Sequence, residues 1–466
     1  MPKTAKARAK AKPQHAGLSA PAIPALPLQD QRDDAMTDTI FLNANLIDPE
    51  AGTVTQGHLI LRDGKIYDIV TADIPNPAER YRALEQIDAT GLHLAPGIID
   101  WGVKVGEPGE RHKESFRSAG LAAAAGGVTT MITRPDTNPA VDTPETLEFL
   151  LRRAQADSLV NVRPMAALTK GRQGREMTEI GFLKDAGAVA FTDGDHVVTD
   201  ARILSRALTY ARSLDALVVA HVQDPSLSQG AVATNGKFSS LKGLPAVHPM
   251  AERMALDRDL SLVEMTGVAY HAEQVTTSRA VAALARAKAN GLNVTAGVSI
   301  HHLTLNEFDV GDYRTFFKLN PPLRSEEDRK AVVAALAEGV IDILCSMHTP
   351  QDEESKRLPF GQAASGAVGL ETLLPAALRL FHAGDLTLPQ LFRAMSLNPA
   401  KRLGLPGGRL SVGAPADLVL FDADAPFVLD RTALQSKSRN TPFDAARLQG
   451  KVAGTWVAGQ RVWGAK

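Results

Sequence analysis

The sequence predicts an α/β fold: a closed (β/α)8 barrel carrying a small β-sandwich-like domain made from both chain ends. Two observations carry this. Between about 96 and 405, eight short apolar runs alternate with helical patterns, as parallel strands joined by helical crossovers do, and eight such units close a barrel. Outside that stretch, β-rich segments stand at both ends of the chain and bracket it.

The eight runs are 98–105, 129–134, 161–168, 188–193, 217–222, 268–274, 293–299 and 342–348. Helix-like stretches lie between them, among them 144–156, 277–290 and 326–338, with Ser325 placed to cap the last. A doubly wound open sheet is the competing arrangement, but no G-x-G-x-x-G follows the first run. At the N-terminal side, 40–48, 57–62 and 65–70 alternate as strands do, and Asp63-Gly64 is a hairpin turn signal. At the C-terminal side, 417–421 and 451–463 are β-rich, with Ala458-Gly459 as a turn. The expected domains are therefore 37–95 plus 406–466 as the β domain and 96–405 as the barrel.

Residues 1–36 read as a disordered tail rich in Ala, Lys and Pro, with Lys3, Lys6, Arg8, Lys10 and Lys12 near its start. Two readings stay open for it: a basic interaction arm, or a mis-assigned start with Met36 as initiator. The 466 residues carry a net charge of −1, which supplies no long-range attraction for nucleic acid or an anionic membrane. The single cysteine, Cys345, excludes an internal disulfide and a cysteine-ligated zinc, and a reducing cytoplasm is the expected location. No apolar run approaches the eighteen or so residues of a membrane span.

Chemistry in such barrels sits at the C-terminal strand ends. Here those ends carry Lys104, Arg134, Asp193, His221, Gln274 and Met347, with His348 next along. Around them runs a long series of motifs: Pro96-Gly97-Ile98-Ile99-Asp100, Glu107-Pro108-Gly109, Arg134-Pro135-Asp136-Thr137-Asn138-Pro139, Phe191-Thr192-Asp193 and Ala220-His221. His301-His302-Leu303, Asn320-Pro321-Pro322-Leu323-Arg324, Gly369-Leu370-Glu371-Thr372 and Asn398-Pro399-Ala400 continue it, and 413–418 ends it. Over roughly 40–466 the chain resembles the type I dihydroorotases of the cyclic amidohydrolase family.

The resemblance implies reversible hydrolysis of a ring amide in pyrimidine synthesis, with zinc activating the water. It also implies where the ligands should be, and most are missing. The two histidines of the family's D-x-H-x-H fall at Gly102 and Lys104, the histidine of strand six at Gln274, and the catalytic aspartate of strand eight at Met347. His271 is the other histidine of the strand-six pattern and not the ligand position. Of the family's ligand positions Asp193 and His221 remain, fewer than the three or four of an ordinary zinc site. The family's substrate arginine falls at Gly106, while Asp136, Asn138, Asn320, Arg324 and His348 match substrate-side loop positions. Asn320 and Arg324 leave room for binding a small anion, and the other histidines, His112 and His196 among them, read as loop residues.

No residue is therefore assigned as catalytic and no cofactor is expected; zinc belongs to the alternative of an active enzyme. The resemblance extends to degenerate dihydroorotase-like partners of aspartate transcarbamoylase, which makes that enzyme the expected partner and a homo-oligomer the expected state. Two alternatives stand beside this: an active dihydroorotase or related cyclic amidohydrolase with a rearranged site, and a ligand sensor using the old pocket. Loss of the metal leaves Asp193 without a counter-charge. The expected replacement is the Lys104 ammonium, paired with Asp193 and in second place with Asp136.

Overall fold

The computed structural model describes residues 38–71 and 74–464. The tail of 1–36 lies outside them.

Both ends of the described chain enter one mixed eight-stranded sheet. Its order runs Gln460–Trp463, Arg447–Val457, Leu418–Val428, His93–Pro96, Thr39–Asp48, Thr53–Arg62 and Lys65–Val70, with Glu85–Asp88 added beside Thr39–Asp48. The short strand His93–Pro96 joins the halves: it pairs parallel with Thr39–Asp48 and antiparallel with Leu418–Val428. Trp456 from the C-terminal half meets Phe41 from the N-terminal half edge to face, ring centroids 4.8 Å apart. Both hairpin signals form. Asp63-Gly64 and Ala458-Gly459 each place two successive residues at positive φ, which gives the tight turn the twist its flanking strands need.

The barrel strands are Ile98–Val103, Val128–Thr133, Asn161–Pro164, then Val218–Ala220, Tyr270–Ala272, Val294–Ser299 and Ile343–Cys345. The fourth run, 188–193, is held by bridges. Phe191 pairs with Ala166 on one side and Val218 on the other, and Thr192 N donates to Ala166 O at 2.9 Å. The barrel closes between strands one and eight. Asp100 accepts from Ser346 N at 2.7 Å and from the Ser346 hydroxyl, while Lys104 N donates to His348 O at 2.8 Å. Burial pushes the Asp100 carboxyl up to about 6 despite these bonds.

Helices over Pro144–Asp157, Ser278–Ala289 and Glu326–Ala337 cover the strands, the last capped by the Ser325 hydroxyl. Strands one, two, three, five, six and eight end earlier than the apolar runs do. At strand one the cause is visible: Gly102 has φ +76, and the register with strand two slips between Trp101 and Val103. At strand eight Met347 has φ +48, a left-handed value uncommon for a side chain of its size. The last ladder pairs are Val103 with Thr133 in strand one and Cys345 with Ser299 in strand eight, so Met347 lies beyond the ladder.

Candidate functional site

At the axis of the mouth the centre of the arrangement is Met347. A Cβ built on Gly102 would stand 2.4 Å from the Met347 sulfur and 3.3 Å from Glu273 Oε1. Two positions matching family ligands thus share one space, and the thioether fills it. Gln274, at the strand-six ligand position, donates from Nε2 to Asn320 O at 3.3 Å and leaves Oε1 without a partner. The cavity that remains here, bordered by Arg134, Gln274, His301, Asn320 and Met347, is about 30 Å³, room for a water or two and not for a heterocycle.

Beside Met347 lies Glu273, buried, with Oε1 unpartnered. Burial pushes its carboxyl up to about 7, against the pull of Arg134. Sequence reading passed over this residue. A signal existed in its place next to Gln274: once the strand ends at Ala272, strict alternation ends with it, and both residues can face the mouth.

Lys104 does not reach Asp193. Its Nζ lies 3.3 Å from Asp136 Oδ2 and 3.4 Å from Glu110 Oε2. Asp136 also receives both arms of Arg134, Nη2 at 2.6 Å and Nε at 3.2 Å. Burial works against this carboxylate, but Arg134 and Lys104 hold it well below the usual range. Asp193 is satisfied instead by Thr169, through its backbone N–H at 2.9 Å and its hydroxyl. The expected Lys104–Asp193 pair is thus replaced by a Lys104–Asp136 pair, because Asp136 lies among cations while Asp193 is turned toward the loop after strand three. Burial raises the Asp193 carboxyl, opposed by the Thr169 bonds.

His221 is buried and has no hydrogen-bond partner among the described residues; burial lowers its ring to about 4. Among those residues no three His, Cys, Asp or Glu side chains converge as metal ligands would. The donor set therefore does not fit a zinc centre.

The substrate-side positions divide. Gly106 leaves no space for a side chain, since a Cβ there would meet Glu110 O at 2.3 Å. Asn138 is exposed and packs its backbone over Gly109. Arg324 is not available to an anion. It is buried, and it donates to Thr276 Oγ1 at 2.9 Å, Thr234 Oγ1 at 3.2 Å, and Gln223 Oε1 and Glu252 Oε2 at 3.1 Å each. Glu252 in turn accepts from the backbone N–H groups of Thr276 and Thr277. The network crosslinks loops and corrects the expectation that Arg324 binds a small anion.

His348 also faces away. Its Nδ1 accepts from Gly369 N at 3.1 Å, and Nε2 lies 3.4 Å from Glu114 Oε2, close enough for an ion pair but not aligned as a hydrogen bond. His302 fixes the Asn320–Pro321 loop, with Nε2 3.1 Å from Pro321 O, and His301 stacks on Phe443 at 5.6 Å. Cys345 is a buried free thiol. No helix among the described residues is long and apolar enough to cross a membrane.

The comparisons with known proteins agree with this geometry on fold and family. Residues 91–280 match the family described as dihydro-orotase-like, and residues 361–463 match the amidohydrolase family. The dihydroorotase of Anaplasma phagocytophilum is 38% identical over 427 residues, covering 91% of this chain and 95% of that one. The dihydroorotase of Syntrophus aciditrophicus is 39% identical over 424 residues, covering 91% and 99%. Among solved structures, the L-hydantoinase of Arthrobacter aurescens superposes with a TM-score of 0.82 at 25% identity, covering 92% of this chain and 96% of that one. The dihydropyrimidinase of Brevibacillus agri shares the fold at a TM-score of 0.78 and 20% identity, covering 92% and 95%. With relatives of this identity matched almost end to end, the chain belongs to the dihydroorotase family.

Proposed function

We propose that this dihydroorotase-family chain is catalytically silent and serves pyrimidine biosynthesis as an assembly partner of aspartate transcarbamoylase. The observation that carries the first half is the Met347 thioether in the space a side chain at Gly102 would need. A thioether has no titratable proton and serves no general-base step. The two surviving ligand positions are separated in role, Asp193 bonded to Thr169 and His221 unbonded. A pocket of only about 30 Å³ at the axis supports the same reading. The second half is supported by the family scaffold, matched over 91% of this chain by a dihydroorotase, together with the altered residues at the barrel mouth.

The test uses the full chain purified without chelators. Metal content is expected far below one ion per chain, and dihydroorotate hydrolysis with added zinc is expected at background. Turnover of about ten per second, ordinary for an enzyme, overturns the silence. Affinity purification from the source cells, with light scattering of the eluate, is expected to return aspartate transcarbamoylase in stoichiometric complex. A homogeneous oligomer of this chain alone overturns the partnership.

A further inference from the structure

We propose that a surface notch between the end of helix Leu373–His382 and the ribbon of strands Leu418–Val428 and Arg447–Val457 docks an acidic segment of a partner protein. The notch measures about 630 Å³, and it shares no lining residue with the small pocket at the barrel axis. Arg379 and His382 of the helix line it together with Phe427, Val428, Arg447 and Leu448 of the ribbon.

Strand alternation explains why cations and apolar groups meet here. Arg447 and Gln449 are exposed while Leu448 and Gly450 are buried, so the first two share the outer face. Val428 stands opposite Arg447, and Phe427 opposite Leu448. Directly opposed residues of an antiparallel pair lie on one face, so Val428, 59% exposed, sits beside the stem of Arg447. Gly450 admits the helix: a Cβ there would collide with the Leu378 side chain. Arg379 follows Leu378 and is exposed at the notch.

Neither guanidinium makes a hydrogen bond or ion pair among the described residues. The carboxylates nearby in the chain are engaged elsewhere. Asp422 stands opposite Lys451 and accepts from Asp424 N and Ala425 N, while Asp424 lies 4.0 Å from His382. Asp444 pairs with Arg431 at 3.3 Å. Two open arginines thus flank apolar side chains with no carboxylate answering them, and charge complementarity calls for carboxylates on the occupant. Phe427, Val428 and Leu448 call for an apolar side chain between those carboxylates. A nucleic acid fits less well, since two arginines supply few phosphate contacts and the whole chain carries a net charge of −1. The proposal stands whether or not the chain turns over a substrate.

Fluorescence anisotropy of the full chain tests it, with a dye-labelled octapeptide of alternating glutamate and leucine, its glutamine–leucine counterpart, and an eight-base oligothymidylate. The acidic peptide is expected to bind saturably with a Kd below about 1 mM, and the glutamine counterpart about tenfold more weakly. Arg379→Glu and Arg447→Glu are each expected to weaken binding about tenfold, the effect of one charge-assisted hydrogen bond. Arg379→Gln and Arg447→Gln remove the charge alone and are expected to weaken it severalfold; they are read where a reversal disturbs the circular dichroism spectrum. Arg152→Glu, an exposed change on helix Pro144–Asp157, is expected to leave binding unchanged. The proposal is overturned if the acidic peptide does not saturate, or if the glutamine peptide or the oligothymidylate binds as tightly. It is also overturned if Arg152→Glu weakens binding as much as the notch variants do.

Discussion

Gly102 and Met347 are 245 positions apart in the chain, yet the Met347 sulfur stands 2.4 Å from where a Cβ at position 102 would be. Each explains the other. A histidine at 102 cannot coexist with this methionine rotamer, and without a side chain at 102 the methionine has the space to close the mouth. Gly102→Ala is expected to destabilise the protein by about 2–4 kcal/mol, from overpacking and from the positive φ together. In a Met347→Ala background the cost should fall to about 1–2 kcal/mol, the backbone part alone. Chemical denaturation of the four proteins measures it, and strictly additive values would show that the two residues do not compete for one space.

Glu273 is a buried carboxyl with one oxygen unpartnered, and burial disfavours its charge. Its folded value of about 7 lies above the ordinary 4.5, so the folded state holds the proton more tightly than the unfolded chain. Stability is therefore expected to decline as pH rises from about 4.5 to 7, by at most ~3 kcal/mol from this group. Glu273→Gln removes that slope, and the variant should gain on the wild type at pH 8 and lose the advantage near pH 5. Parallel stability-pH curves for the two proteins would refute this.

Asp136 sorts its two cations unequally. Arg134 is buried and bidentate, while the Lys104 side chain keeps 18% of its surface exposed. Arg134→Met is expected to cost about 3–5 kcal/mol by stranding a buried carboxylate, and Lys104→Met about 1 kcal/mol or less. Because the folded pKa of Asp136 is depressed, its contribution is present above pH ~4 and is lost as pH falls. Equal costs for the two variants in thermal denaturation would contradict the geometry.

Arg324 holds four acceptors through one planar fork. Lysine keeps the charge and loses that geometry, so Arg324→Lys is expected to destabilise by about 2–3 kcal/mol in chemical denaturation. A variant as stable as the wild type would show that the four bonds of Arg324 do not crosslink these loops.

The barrel, its eight runs, the hairpin at Asp63-Gly64 and the cap at Ser325 were all determined by sequence, because periodicity, turn residues and caps act over a few neighbours. So was the presence of Gly102, Lys104, Gln274 and Met347 at positions that the resemblance gives to ligands, since residue identity is read directly. How these residues are partnered at the barrel mouth was decided by tertiary structure. Lys104 had several carboxylates within its reach, and the choice of Asp136 over Asp193 turned on Arg134 lying beside one and Thr169 beside the other. Glu273 entered the mouth because its strand stops a residue earlier, and Met347 because its backbone adopts a left-handed turn. Side-chain direction at a strand end depends on local dihedrals and on residues hundreds of positions away, which no short-range pattern records.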